Sequence, residues 1–486
     1  MDGSARSSWL KRLADAPIIA LAIGMVILLG RTVVARLSYA YDLEWMEGGM
    51  LAHAARVAEG LPLYVEPTAE FIPFIYPPMY PWVVGGLSMM GIPLDYALGR
   101  AVSLLGVGLA GAALALAVRR EGGGWILGFG GAALFWATYP AAGAFFDLVR
   151  NDGLQVGLIA ASLVACRSGK IRTAGLLLTA AFLTKHTAAL YGLCSLWWLH
   201  HYRGLAAAKR FIRWSVVPGL VSTAWLTIAS DGLFWTYVIE VPSAHPFVAR
   251  RFFWTAPKEL LTALPWMSVL IGFVLMRGRQ ALGEGGRFWV VHGAMAFFLS
   301  ALMRGHHGGY MNVLMPGLWA VALGGALAVN ELRLRHPSIL LRVTTAVVVA
   351  LQLWSAQWQP SRYTPTEADV AAGDAVVERL REIDGPILAP WQPWMPVQAG
   401  HSGSVALIAL WDIDHKDGPL YREAQVVAEA IKAKEFGAVL TAKAKLRRGL
   451  RAHYRLAPMT RPTGPALYPK TGWKVRPHSL WVPKAD

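Results

Sequence analysis

The sequence predicts a polytopic α-helical membrane protein with about eleven transmembrane helices, followed by a small external α/β domain. Three observations carry this prediction. The 486 residues are 55% hydrophobic and only 16% charged, more apolar and less charged than soluble domains usually are. A series of apolar runs reaches or approaches the roughly 20 residues needed to cross a bilayer core. The basic residues alternate between the connecting loops in the manner of a membrane topology.

The runs lie at 17–36, 97–118, 124–145, 153–167, 173–184, 187–200, 214–230, 259–276, 288–303, 310–329 and 339–357. No small-residue cleavage site follows the first, so it reads as a retained helix. Segment 77–92 is apolar, but it is short and carries Gly85, Gly86 and prolines near its start. That pattern suits an interfacial helix.

Leaving 77–92 out and placing the N-terminus inside puts 18 basic and five acidic residues on the cytoplasmic side, from Arg6 to Arg342 and including Arg279. The outer loops and helix ends then carry 10 basic and 12 acidic residues, and the chain after 358 carries 18 and 13. The distribution is positive-inside, and it explains the formal charge of +16 without a nucleic-acid partner. Runs 173–184 and 187–200 are short for spans, yet the flanking charges require an even number of crossings.

This topology divides the chain into a membrane domain, 1–358, with a first outer loop at 37–96, and an external domain, 359–486. The external domain is expected to contain helices at 367–383 and 422–434 and strands at 386–391 and 437–441, before a Pro-rich, basic tail expected to be poorly ordered. Cys166 and Cys194 fall in predicted helices and read as packing residues.

The unusual polar residues of the membrane domain gather on the outer side. Asp42, Glu44 and Glu47 lie in the first loop, with Asp147, Arg150, Asn151 and Asp152 after the third run, and Lys185 and His186 between two later ones. His245, Arg250, Arg251, Arg304, His306, His307 and Asn312 complete the set. Taken singly, each reads best as a solvated loop end; as a one-sided group they suggest a site. Carboxylates at a helix start can act as general bases, and Lys185, Arg250, Arg251 and Arg304 can stabilise negative charge on a departing phosphate. Arg250 and Arg251 fit headgroup anchors equally well. Adjacent His306 and His307 make a poor metal pair by spacing, and the Asp412, Asp414, His415, Asp417 string reads as a solvated turn. Trp391 and Trp394 suit a sugar-stacking surface or buried core.

Several strings recur in order: DLEWMEGG at 42–49, EGLPLY at 59–64, YPPMYPW at 76–82, Arg100, LVRND at 148–152, AGLLLTAAFLTKH at 174–186 and RGHHGGYMNVLMP at 304–316. Together they resemble the GT-C superfamily of polyprenyl-phosphate-dependent glycosyltransferases, notably bacterial relatives of protein O-mannosyltransferases and the lipid A aminoarabinose transferase. The resemblance covers roughly residues 10–360. It implies a GT-C-like fold with amphipathic helices in the first outer loop. It also implies an inner-membrane enzyme that moves a sugar, with inversion, from a polyprenyl-phosphate donor to an extracytoplasmic glycan, lipid or protein acceptor.

By this resemblance a first-loop acid is the general base and Asp152 a supporting carboxylate. Lys185, with Arg304, Arg250 and Arg251, meets the donor phosphate. Arg150, Asn151, His186, His306, His307 and Asn312 contact substrate. Relatives place an Asp-Glu pair where this chain has Met46-Glu47, so Glu47 is the aligned acid, with Asp42 next. A divalent cation is possible, and no other cofactor is implied. The alternative is a non-catalytic protein that binds or transports lipid-linked glycans.

Overall fold

The computed structural model describes residues 3–278, 282–442 and 447–485; Arg279, counted above among the cytoplasmic charges, lies outside them. Each of the eleven apolar runs contains helix. These helices are Gly3–Leu37, Tyr96–Val118, Gly124–Ala137, Asn151–Arg167, Ile171–Thr184, Ala189–Arg203, Val216–Ala229, Pro265–Met276, Glu284–Gly305, Met315–Arg335 and Ile339–Ser355.

Among the described residues, five helical stretches are long and apolar enough to cross a membrane, or seven if two bent pairs are each one span. One of the five, Tyr96–Ala137, turns back on itself. Gly122 and Gly124 take φ of +94° and +73°, a region that glycine enters at little cost. Beyond them, a Cβ on Gly128 would stand 2.6 Å from the Ala115 carbonyl oxygen. The stretch is therefore a pair of antiparallel helices.

Two of the expected runs differ in detail. Run 259–276 breaks at Leu264 and bends by 102°, because Pro265 cannot donate a backbone hydrogen bond and opens a new helix there. Run 124–145 is helical only to Ala137. The buried turns that follow carry Asp147 and Arg150.

The first loop holds two short helices, Glu47–Ala58 and Met79–Met89. The second is 11 residues, about 17 Å long at 1.5 Å per residue, too short for a core of roughly 30 Å. It lies against the first, where Gly85 meets the Ala54 carbonyl and the Val57 side chain.

After helix Glu367–Arg381, four strands form one mixed sheet: β1 (Ile387–Leu388), β2 (Ala438–Thr441), β3 (Tyr454–Ala457) and β4 (Ser479–Pro483). The order is β1-β2-β4-β3, with β1 and β2 parallel and the other pairs antiparallel. The expected helix at 422–434 is a 3-10 turn followed by Val426–Lys432.

The Pro-rich tail is not the loose end expected from its composition. It supplies β4, buries Val475, and donates the Thr471 N–H to the Leu43 carbonyl at 3.1 Å. The helix Glu367–Arg381 meets the same loop, where Asp374 accepts a 2.5 Å bond from the Tyr41 hydroxyl. The C-terminal residues thus close over the first loop. Trp391 and Trp394 are buried core.

Candidate active site

Arg100, in the first turns of helix Tyr96–Val118, organises the first loop. Its Nε and Nη2 donate to Glu47 Oε1 and Oε2 at 3.0 and 2.9 Å. Its remaining N–H groups reach the carbonyls of Arg36, Tyr39 and Tyr41. Glu47 also accepts from the backbone of Val149 at 2.8 Å, Leu43 at 2.6 Å and Glu44 at 3.3 Å. Neither side chain of the pair is exposed. Every acceptor site of Glu47 is engaged, so the aligned acid clamps the first loop to helix Tyr96–Val118.

Asp42 presents the opposite case. Its Oδ1 accepts from the Gly48 N–H at 2.8 Å and the Tyr96 hydroxyl at 3.0 Å. Its Oδ2 is buried without a partner among the described residues. Burial pushes the Asp42 carboxyl up to about 8; the neighbouring Glu47 charge adds to this, and the bonds from Tyr96 and Gly48 oppose it.

Glu44 is pushed up to about 7 by burial, against the pull of Arg150. Gly472 sits directly on it, since a Cβ there would be 2.9 Å from Glu44 Oε1. Only a residue without a side chain can close over the carboxylate at that distance.

Arg150 links the first loop to the next one. Its Nη1 lies 3.6 Å from Glu44 Oε2 and 2.7 Å from Met46 Sδ, and its Nη2 3.3 Å from the Tyr76 hydroxyl. Its Nε is 3.9 Å from Asp152 Oδ2. Asp152 in turn accepts from Lys185 Nζ at 2.9 Å and Asn312 Nδ2 at 3.0 Å. Lys185 Nζ also stands 5.8 Å from the centre of the Tyr76 ring. A cavity of about 20 Å³ opens beside Asp152, Lys185 and Asn312, room for one water-sized group. Residues from four separate sequence regions thus meet at one place.

The charges are uneven. Glu47 pairs with Arg100, Glu44 with Arg150 and Asp152 with Lys185, which leaves Asp42 as the one acid of the four without a cationic partner among the described residues. A buried carboxylate left unpaired is costly, and such groups concentrate at functional sites.

Other expected site residues stand apart or are otherwise engaged. Arg304 is held by Glu259 through two 2.9 Å bonds and donates to the Gly309 carbonyl at 2.7 Å, so three of its five N–H donors serve these contacts. Arg250 is exposed and Arg251 half-buried, in keeping with headgroup anchoring. His306 lies 2.9 Å from the Pro242 carbonyl, and His307 faces His245 and His415. His186 is half-buried; its desolvation and nearby Lys185 push it down to about 4. Asn151 donates to the Thr184 carbonyl at 3.2 Å. Asp147 pairs with Arg36 at 2.7 Å and is structural.

No three His, Cys, Asp or Glu side chains among the described residues form a metal-holding group. Glu44, Glu47 and Asp152 are turned toward cations, whereas Asp42 keeps one carboxylate oxygen without a partner among the described residues.

Sequence reasoning overlooked Tyr76 and Tyr96. Tyr76 opens the YPPMYPW string, the signal that pointed to it, whereas nothing local marks Tyr96.

No family model matches the sequence, and no curated protein matches it either. Solved structures do. ArnT from Cupriavidus metallidurans in the apo state superposes with a TM-score of 0.61 at 14% identity, over 98% of each chain. The same protein bound to undecaprenyl phosphate gives 0.63 at 13% identity, over 96% of this chain and 97% of that one. The archaeal oligosaccharyltransferase AglB from Archaeoglobus fulgidus, in complex with an inhibitory peptide and a dolichol-phosphate, gives 0.52 at 10%, over 87% and 69%. The chain thus shares its fold with ArnT over nearly its whole length and, more distantly, with AglB.

In this fold the first-loop acids, Arg150 and Lys185 form one buried group under the C-terminal residues. Such a group offers a carboxylate able to exchange a proton near neutral pH and a lysine able to meet an anion.

Proposed function

We propose that this chain is a membrane glycosyltransferase that moves a sugar from a polyprenyl-phosphate donor to a hydroxyl of an extracytoplasmic acceptor, with inversion. Deprotonated Asp42 takes the acceptor proton, the acceptor oxygen attacks the anomeric carbon, and the sugar–phosphate bond breaks with its electron pair on the phosphate oxygen. Lys185 meets the charge that develops there, and Asp152 and Asn312 hold Lys185 in place.

The observation that carries this reading is the unpaired, buried Oδ2 of Asp42 in the first loop of a GT-C fold. The undecaprenyl phosphate of the ArnT complex and the dolichol-phosphate of the AglB complex support the class of donor. In this reading the protein is a multi-pass inner-membrane protein with eleven crossings. Its N-terminus is cytoplasmic, the membrane domain is 1–358, and the external domain is 359–486.

Met46, which fills a position acidic in relatives and lies against Arg150, favours the second reading of a non-catalytic protein that binds or transports lipid-linked glycans. Purified protein incubated with a panel of polyprenyl-phosphate sugars decides between them. Donor consumption that is lost in Asp42→Asn supports the transferase. Donor binding without consumption of any sugar overturns it.

A further inference from the structure

A second site lies at the other end of the membrane bundle. Lys11 and Arg36 sit near the two ends of helix Gly3–Leu37, 25 positions and so about 37 Å apart along it at 1.5 Å per residue. Arg36 belongs to the network around Arg100 and Asp147. Lys11 borders a cavity of about 450 Å³ between helices Gly3–Leu37, Met315–Arg335 and Ile339–Ser355 and the Gly122–Gly123 turn.

The lining has two characters. Lys11, Arg333 and Arg342 supply three positive charges, while Leu10, Leu127, Leu334 and Ile339 supply apolar surface. Leu334 and Ile339 are 59% and 49% exposed. Asp15, which is buried, holds the two arginines in place, pairing with Arg333 Nη1 at 3.1 Å and with Arg342 Nη2. Among the described residues, one carboxylate against three cations leaves the cavity positive. Arg342 Nη1 and Lys11 Nζ are not used by the Asp15 pairs. A positive pocket with greasy walls at the edge of a membrane bundle has the chemistry of a lipid headgroup site.

We propose that this cavity binds the phosphate of an anionic phospholipid, with its acyl chains along Leu10, Leu334 and Ile339. The site is independent of the transferase reading, because it shares no residue with the Asp42 cluster.

The test uses full-length protein in nanodiscs of phosphatidylcholine doped with phosphatidylglycerol, with bound lipid counted by native mass spectrometry after release into detergent. The expected result is retention of phosphatidylglycerol over phosphatidylcholine. One lost charge near a membrane should weaken that preference roughly fivefold in Lys11→Gln and in Arg342→Gln. Arg56→Gln, a change in the first loop, should leave it intact, and thermal midpoints in pure phosphatidylcholine verify folding of each variant. Equal retention of both lipids, or a preference unchanged in Lys11→Gln, overturns the proposal. Displacement of the lipid by millimolar inorganic phosphate also overturns it, because the ligand would then be free phosphate.

Discussion

Arg100 grips Glu47 with two hydrogen bonds of 3.0 and 2.9 Å, and neither side chain reaches solvent. The pair ties the first loop to the following membrane helix, while three backbone N–H groups complete the shell of the carboxylate. A glutamate so fully satisfied holds the first loop in place.

Glu47→Gln should therefore be a stability variant. It leaves the buried guanidinium of Arg100 without a counter-charge, a loss of about 3–5 kcal/mol. A lowered thermal midpoint and a poor membrane yield are the expected outcome. A variant that folds with the wild-type midpoint and loses turnover alone would return Glu47 to the role of base.

Asp42→Asn should behave the other way. Its Oδ2 has no partner among the described residues to lose, so the midpoint should hold or rise, while transfer should fall by roughly 10²–10⁴, the usual share of a general base.

The pH dependence carries a sign. Burial lifts Asp42 from its ordinary 3.8 to about 8, and a base works only when deprotonated. Turnover should rise with pH through about 8, and Asp42→Asn should abolish that limb. Asp42 and Glu44, both raised by folding, contribute stability that is fully present at acid pH, below their unfolded values. That contribution is lost as pH rises toward 7 and 8. A thermal midpoint falling over that range in wild type, and falling less in Asp42→Asn, is the expected measurement.

Lys185 and Arg304 separate binding from structure. Lys185→Gln should raise the donor KM and lower turnover, because the cation expected at the phosphate is gone. Arg304→Gln strands Glu259, its partner in two bonds, and should lower the midpoint with little change in KM. Equal donor KM in wild type and Lys185→Gln would remove Lys185 from the phosphate site.

The contact between His245 and the C-terminal residues should loosen in acid. His245 lies 2.9 Å from the Asp412 carbonyl, and its ring centre is 4.7 Å from that of His415, 5.3 Å from His306 and 6.0 Å from His307. Burial pushes it down to about 4, helped by the three other histidines and opposed by the Asp412 contact. A histidine depressed in the folded state destabilises it wherever the unfolded state takes up the proton first. The contact is therefore strongest above about 6.5 and weakens as pH falls from there to about 4. Hydrogen exchange of residues 407–418 should speed up over that interval, and His245→Gln should flatten the response.

Much of this protein was legible in its residues. All eleven apolar runs contain helix, and the short, proline-led 77–92 segment forms a helix too brief to cross. The break before Pro265 was missed because the run is apolar on both sides of it, which conceals a bend. The tail was misjudged because Pro and basic residues read as disorder, yet Val475 and Leu480 are buried in contacts made with distant strands and loops.

Membrane class, helix placement and the pairing of charges with loops follow from the sequence by itself, because they depend on the length and polarity of contiguous segments. Which acid is free does not. Three carboxylates stand within six positions, and the sequence makes them nearly equivalent. Only the tertiary structure brings Arg100 and Val149, 53 and 102 positions away, onto Glu47, and sets Arg150 beside Glu44. A carboxylate becomes a base or a clamp according to the donors that surround it, and those donors come from distant parts of the chain. Of the three, they leave only Asp42 without a cationic partner among the described residues.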